Sequence, residues 1–396
     1  MKTSEIRVGI LGGGQLAEMT LRAARDLDIC VHCLCESLDD PAYKSFPANC
    51  FPKEDVKSFS KNIDVIGFES EFFNEDLLKA VLQSNPHIVS SPKVSSILKL
   101  RNKLEQKLLF KQAEIPQADF LKLIPQYFST ARSLDKLFEK FPKGYVLKWA
   151  MGGYDGKGNF VLKEGASDTK LQEALDFCAA AFKNCVDVYA EELIDFKLEL
   201  ALMSFYSGQD NNQHFYPLVI SRQKANICKE VWGPAQKFGI VEQIESLAQR
   251  AAKKIQNAYP DLRVFGVEFF LDATGKLLIN EMAPRVHNSG HYSQLFPRAS
   301  QFHNWLRGMT QSGYEKFDKE VLFLMRNFIG SGENFRPPTP EELGEQQGLY
   351  WYGKTEVKAG RKMGHANHCL KSVEELQKKR SELEVQEKEF WDKLKQ

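Results

Sequence analysis

Between Val264 and His291 the chain reads Val-Phe-Gly-Val-Glu-Phe-Phe-Leu-Asp, then Ala273-Thr-Gly-Lys, then Leu-Leu-Ile-Asn-Glu-Met-Ala-Pro-Arg-Val-His-Asn-Ser-Gly-His. Apolar runs on either side of Asp272 and Gly275 predict two strands joined by a short turn. Each strand carries one acid among apolar neighbours: Glu268 in the first, Glu281 at the end of the second. A carboxylate in a buried strand is costly unless it is paired or bound to a metal. Two such acids on paired strands can aim at one point and hold a hard cation through oxygen. Mg²⁺ so held usually also touches a nucleotide's phosphates. The following segment, Arg285-Val-His-Asn-Ser-Gly-His291, is dense in donors for an anion. A hairpin with both acids facing solvent is the alternative, and the apolar context argues against it.

At 396 residues the chain is too long for one core, so two or three domains are expected. A net charge of +1 offers no bulk attraction to nucleic acid or to a membrane surface. No apolar run approaches the roughly 18 residues of a membrane span, and the N-terminus leads into a strand rather than a signal segment. A cytoplasmic location is the expectation. Three of the eight cysteines, Cys30, Cys33 and Cys35, fall in one predicted strand that sends Cys33 and Cys35 to the same face. No second pair at zinc spacing follows, so they read as reduced core residues.

Residues 6–11 predict a strand entering Gly12-Gly-Gly-Gln-Leu-Ala-Glu-Met and a helix to about Asp26. That arrangement presents backbone N–H groups to a phosphate. Ala17 and Glu18 stand where the dinucleotide fingerprint wants a glycine, so a monophosphate suits the loop better than NAD. Strands at 29–34 and 64–68 complete a parallel α/β unit, and the latter ends in Glu69-Ser-Glu71, acids that would point into the ligand crevice. Ser91-Pro92 predicts the start of a long helix ending before Ile115-Pro116, with Val94, Ile97, Leu98, Leu104 and Leu108 along its apolar stripe.

Strand Tyr145-Val-Leu-Lys148 precedes Gly152-Gly-Tyr-Asp-Gly-Lys-Gly158, four glycines in seven residues. This is a flap whose backbone can close on phosphates, and it lacks the Gly-Lys-Ser/Thr of a Walker loop. Glu191 and Glu199 flank a short connection and could take ribose hydroxyls or an adenine amino group. Toward the C-terminus, Gly353-Lys354 and Lys358-Ala-Gly-Arg361-Lys-Met-Gly-His365 gather basic residues suited to an anion. Ser372 and Glu375 predict a capping box for a last helix with Val373, Leu376, Leu383 and Phe390 on its apolar seam.

The order of glycine loop, Glu-x-Glu, glycine flap and acid-bearing hairpin resembles the ATP-grasp superfamily. Within it, Asn280-Glu-Met-Ala-Pro-Arg-Val-His-Asn-Ser-Gly-His291 and Tyr352-Gly-Lys…Gly-Arg-Lys-Met-Gly-His365 resemble the N5-carboxyaminoimidazole ribonucleotide synthetase family of purine biosynthesis, across roughly residues 6–368. The resemblance implies an α/β and α+β ATP-grasp fold. It divides into a Rossmann-like pre-ATP-grasp domain (1–98), an ATP-grasp domain (99–310, lid about 117–190), a small mixed β domain (311–371) and a C-terminal helix (372–396). It implies a homodimeric ligase that carboxylates 5-aminoimidazole ribonucleotide with ATP and bicarbonate through carboxyphosphate, with Mg²⁺, or Mn²⁺ in its place.

By the same resemblance, ATP is held by Lys103, Lys148, Gly152, Gly153, Tyr154, Asp155, Gly156, Lys157, Gly158, Glu191, Glu192, Leu193, Ile194, Glu199, Gln223, Asn280 and Glu281, and the metal by Glu268 and Glu281. Gly14, Gln15 and Leu16 take the ribonucleotide phosphate, with charge from Lys354, Arg361 and Lys362. Glu71, Tyr154, Arg285, His287 and Asn288 surround bicarbonate and carboxyphosphate, and Asp155 lies near the nucleophilic amine. Tyr154, Asp155, Arg285, His287 and Lys354 are the implied catalytic set. The chain departs from the pattern in four places. Ala17-Glu18 replaces Gly-Arg, Gln223 replaces a histidine, Lys103 replaces an arginine, and Trp149-Ala-Met follows Lys148 in place of Thr-Arg. These departures bear on the acceptor amine. A sister ligase acting on another amine is disfavoured by the two C-terminal motifs, and a non-catalytic nucleotide sensor by the presence of Glu268, Glu281 and Lys148.

Overall fold

The computed structural model describes residues 6–128, 130–152, 158–332, 334–343 and 348–395. The N-terminal part is a parallel sheet of β1 (Val8–Leu11), β2 (Val31–Cys35), β3 (Cys50–Pro52), β4 (Val65–Phe68) and β5 (Val89–Ser90), in the order β3-β2-β1-β4-β5. Strands β1 and β4 are buried along their whole length, as apolar runs without alternation require in a sheet covered on both faces. Cys33 and Cys35 are buried with Cys50, whereas Cys30 lies just before β2 and is exposed.

The long helix expected from Ser91 to Ile115 is two helices, Val94–Leu100 and Lys103–Gln112. The first ends at Leu100 with Arg101 as its C-cap, and Asn102 caps the second, its side chain accepting from the N–H groups of Leu104 and Glu105. The break redirects the chain so that Leu104 is buried while Leu108 is exposed.

A second, antiparallel sheet in the order β6-β9-β7-β8 is formed by β6 (Phe120–Leu123), β7 (Gly144–Trp149), β8 (Asn159–Lys163) and β9 (Val188–Glu192). The helix Asp168–Lys183 seals one face with Leu171, Ala174, Cys178 and Ala181.

The largest sheet contains β10 (Phe196–Ser207), β11 (Asn212–Phe215), β12 (Val219–Lys224), β13 (Ile227–Gly233), β14 (Val264–Asp272), β15 (Leu277–Ala283), β16 (Leu322–Ile329), β17 (Leu349–Trp351) and β18 (Lys362–Leu370). Its order is β15-β14-β10-β12-β13-β16-β18-β17, with β11 beside β10. β16 pairs directly with β13, so the C-terminal strands continue this sheet. The β14–β15 turn forms as its residues predict. Asp272 Oδ1 accepts from the N–H groups of Thr274 and Lys276, and Gly275 supplies φ +87°.

The last helix runs Glu375–Lys393 and starts without the expected box. The Glu375 carboxylate reaches back to the N–H of Lys371, while Val373 precedes the helix and is exposed. Leu376 and Leu383 are buried against the large sheet. Among the described residues no helix is long and apolar enough to cross a membrane.

Candidate active site

The three sheets meet around a cavity of about 940 Å³. Antiparallel pairing sets Glu268 of β14 opposite Glu281 of β15. Directly opposed residues share a face, so both acids reach the cavity, and a register irregularity between Glu268 and Phe269 leaves Asn280 as the extra residue, lining the cavity beside Glu281. Among the described residues, Lys103 Nζ stands 2.5 Å from Glu281, whereas Glu268 has only the His287 ring, Nε2 to Oε1 at 3.7 Å. Burial alone would raise Glu281, but Lys103 holds it down to about 2. Burial, followed by the charge of Glu281, pushes Glu268 up to about 8. This pair of acids fits Mg²⁺ shared with phosphates, which needs only one or two carboxylates. Among the described residues no group of three or more His, Cys, Asp or Glu stands ready to enclose a metal.

Beside these acids lies a second charge cluster. Lys148 of β7 pairs with Glu191 of β9 and donates to Asn280 Oδ1 at 3.2 Å. Glu191 is buried and also pairs with Lys107, a residue that sequence reasoning missed. Burial would raise Glu191, yet Lys107 and Lys148 keep it below the usual carboxylate range. The available signal was helical spacing: Lys103, Gln106 and Lys107 share one face of a helix whose buried positions include Leu104 and Phe110. Gln106 accepts from the Met282 N–H and donates to the Met282 carbonyl, pinning the strand next to Glu281.

Glu192, Leu193, Ile194, Glu199 and Gln223 line the same side of the cavity. Burial pushes Glu199 up to about 7, and its carboxylate accepts from the backbone N–H of Gln223. Of the flap, Gly152 and Gly158 lie within the described residues, the Gly158 carbonyl accepting from the Trp149 N–H at 2.9 Å. Gly153, Tyr154, Asp155, Gly156 and Lys157 lie outside the described residues.

The anion-facing segment leaves β15 at Ala283. Arg285 is gripped by Glu71 through both carboxylate oxygens, with Nη2 to Oε1 at 3.2 Å. Burial works against this pair, yet each partner holds the other charged, so Glu71 sits below and Arg285 above its ordinary value. Burial, with Arg285 nearby, brings His287 down to about 3, so it is neutral near pH 7, and its Nδ1 lies 2.8 Å from Ser289 Oγ. Asn288 lines the cavity alongside.

The Glu-x-Glu acids divide their tasks. Glu69 turns inward and accepts from Gly14 N–H at 2.7 Å and Ala17 N–H at 3.1 Å. Part of the glycine loop's N–H array therefore holds a protein carboxylate, an arrangement invisible in the sequence. Gly14, Gln15 and Leu16 line the cavity. Glu18 is committed to Arg22 and to Ser45 Oγ at 2.9 Å, so its charge is engaged within the N-terminal domain. Across the cavity stand Lys354, Arg361 and Lys362; Lys354 donates to the Lys362 carbonyl and lies over the Tyr352 ring.

Family models match all three parts of the chain: a ribonucleotide synthetase preATP-grasp domain at residues 5–99, an ATP-grasp domain at 108–302 and a phosphoribosylaminoimidazole carboxylase C-terminal domain at 324–379. The N5-carboxyaminoimidazole ribonucleotide synthase of Aquifex aeolicus is 30% identical over 374 residues, spanning 94% of this chain and 95% of that protein. The chain belongs to the N5-carboxyaminoimidazole ribonucleotide synthase family. This family of ATP-grasp ligases also includes a Synechococcus elongatus synthase 32% identical to the chain, covering 90% of it and 88% of that protein. Among solved structures, the Aspergillus clavatus synthase complexed with ATP superposes with TM-score 0.81 at 28% identity, covering 99% of this chain and all of that one. The same enzyme in complex with ADP and 5-aminoimidazole ribonucleotide gives 0.79, covering 95% and 96%.

Proposed function

We propose that this protein carboxylates 5-aminoimidazole ribonucleotide to N5-carboxyaminoimidazole ribonucleotide in purine biosynthesis, using ATP and bicarbonate. The observation that carries the reading is a single cavity shared by the Glu268–Glu281 pair, Lys148, the Arg285–Asn288 segment and the Gly14–Leu16 loop. Bicarbonate oxygen attacks the γ-phosphorus of ATP and ADP leaves, giving carboxyphosphate. The amine nitrogen then attacks the carboxyl carbon, the C–O bond to phosphate breaks, and the amine loses a proton.

Lys148 and Lys103 offset charge on the ATP phosphates, with Glu191 and Asn280 fixing Lys148. The side chains and backbone from Glu191 to Ile194, with Glu199 and Gln223, enclose the nucleoside. Glu268 and Glu281 hold Mg²⁺ or Mn²⁺, which supplies charge neutralisation of phosphoryl oxygens when bound. Arg285, neutralised by Glu71 at rest, and Asn288 bind bicarbonate. Neutral His287 is a proton acceptor at that subsite. Lys354, Arg361 and Lys362 add positive charge opposite the glycine loop for the ribonucleotide phosphate. The flap residues Gly153, Tyr154, Asp155, Gly156 and Lys157 carry the roles the resemblance implies: contact with ATP and, for Tyr154 and Asp155, with bicarbonate and the amine. Flap closure protects carboxyphosphate from water. A homodimer, a cytoplasmic location and the domain limits stated above, with residues 311–371 packed as an extension of the large sheet, belong to the same reading.

The test is ADP release with Mg-ATP and bicarbonate, with and without 5-aminoimidazole ribonucleotide. Stimulation by that ribonucleotide is expected. Stimulation by a different amine alone would move the chain to a sister ligase.

A further inference from the structure

Asn327 lies in the second half of β16, fully buried, in a position that no step of the reaction uses directly. Its amide pairs reciprocally with that of Asn288. Asn288 Nδ2 donates to Asn327 Oδ1 at 3.0 Å, and Asn327 Nδ2 donates to Asn288 Oδ1 at 2.7 Å. Two amides paired in this way could both be turned over without losing a bond. The tie is broken by a third contact, in which Asn327 Nδ2 also donates to the Cys228 carbonyl at 2.9 Å. That carbonyl fixes which end of Asn327 is the nitrogen, and therefore which end of Asn288 is. Asn288 keeps one N–H and one lone pair outside the pair, and it lines the cavity next to Arg285 and His287.

The support continues outward. Lys229 Nζ donates to the Asn327 backbone carbonyl at 2.9 Å and pairs with Glu387 of the C-terminal helix. Arg326, the neighbour of Asn327, donates to Glu387 as well, Nε to Oε2 at 2.9 Å. The strand segment carrying Asn327 is thus clamped from the side away from the cavity.

We infer that Asn327 is a positioning residue that sets the direction of the Asn288 amide toward the bicarbonate and carboxyphosphate subsite. The inference rests on the reading of Asn288 as part of that subsite. It names a specificity element for the small anion on β16, no residue of which lines the cavity itself.

The test uses the full-length protein and compares Asn327→Ser, Asn327→Asp and Asn288→Ala in ADP-release kinetics. Serine shortens the side chain so that the reach to Asn288 is lost. Aspartate keeps the shape but removes the donor that orients the pair, and serves where the serine variant folds poorly. Each is expected to raise the bicarbonate KM by about tenfold, the loss of one or two oriented hydrogen bonds, with the ATP KM within about twofold. In the Asn288→Ala background, Asn327→Ser is expected to add nothing further, because the residue acts through Asn288. A raised bicarbonate KM in Asn288→Ala together with an unchanged one in both Asn327 variants overturns the inference alone. Multiplying effects in the double variant, or equal loss for ATP and bicarbonate, also overturn it. An unchanged bicarbonate KM in Asn288→Ala removes the subsite reading itself, and the inference with it.

Discussion

Glu268 and Glu281 face each other across two paired strands, yet Lys103 stands 2.5 Å from Glu281 while, among the described residues, Glu268 meets only the His287 ring at 3.7 Å. The two carboxyl groups are therefore pulled in opposite directions, Glu281 down by Lys103 and Glu268 up by burial. Glu281 is ionised, and Glu268 is pushed up to about 8 by burial and by its partner. A divalent cation would relieve that repulsion.

Replacing Glu281 by Gln should lower ADP release by about a hundredfold or more, equivalent to losing several kcal/mol of charge stabilisation. The far-ultraviolet circular dichroism spectrum should stay unchanged, because Lys103 can still donate to the amide. Unfolding of that variant would instead make the residue a structural counter-charge.

Lys107→Met should destabilise the protein by roughly 3 kcal/mol, since Glu191 is buried and would keep only Lys148. Urea denaturation of wild type and variant measures the difference. A change under about 0.5 kcal/mol would mean that Lys148 alone suffices.

The same triad predicts a pH response. Glu191 is held below its ordinary 4.5 in the folded state, with Lys107 and Lys148 outweighing burial. Its contribution to stability is therefore complete above the unfolded value and is lost as pH falls through the lower folded value. Below about pH 5, Glu191→Gln should show a shallower loss of melting temperature than wild type. Parallel acid limbs for the two proteins would contradict this.

Gly12→Ala should raise the ribonucleotide KM by roughly tenfold while ATP hydrolysis with bicarbonate alone persists. Gly12 has φ +113°, and a Cβ there would stand 2.5 Å from Glu69 Cγ, displacing the carboxylate that holds Gly14 and Ala17. An unchanged KM would show that the loop tolerates losing that hold.

Glu387→Leu should cost about 3–5 kcal/mol, because Lys229 and Arg326 would lose a buried shared carboxylate. Thermal unfolding followed by circular dichroism reads this directly. A melting point within a degree of wild type would show that Glu230, a buried acid that also pairs with Arg326, can neutralise the cluster unaided.

The chain by itself determined its local structure wherever the governing interactions are near in sequence. The β14–β15 hairpin is legible because Asp272 and Gly275 lie between two apolar runs, and the acids at 268 and 281 stand out against them. The glycine turn before residues 15–27 and the basic string ending at His365 are legible for the same reason, as are the motifs shared with the synthase family. Tertiary structure alone decided which acid meets which cation. Glu69 lies 55 residues from Gly14, Glu71 lies 214 from Arg285, and Asn327 lies 39 from Asn288. At such separations no periodicity records the pairing, and the choice follows from how the three sheets pack. Buried charges settle on whichever partner that packing brings within reach, because leaving any of them alone costs more than the local preferences of its own strand or helix.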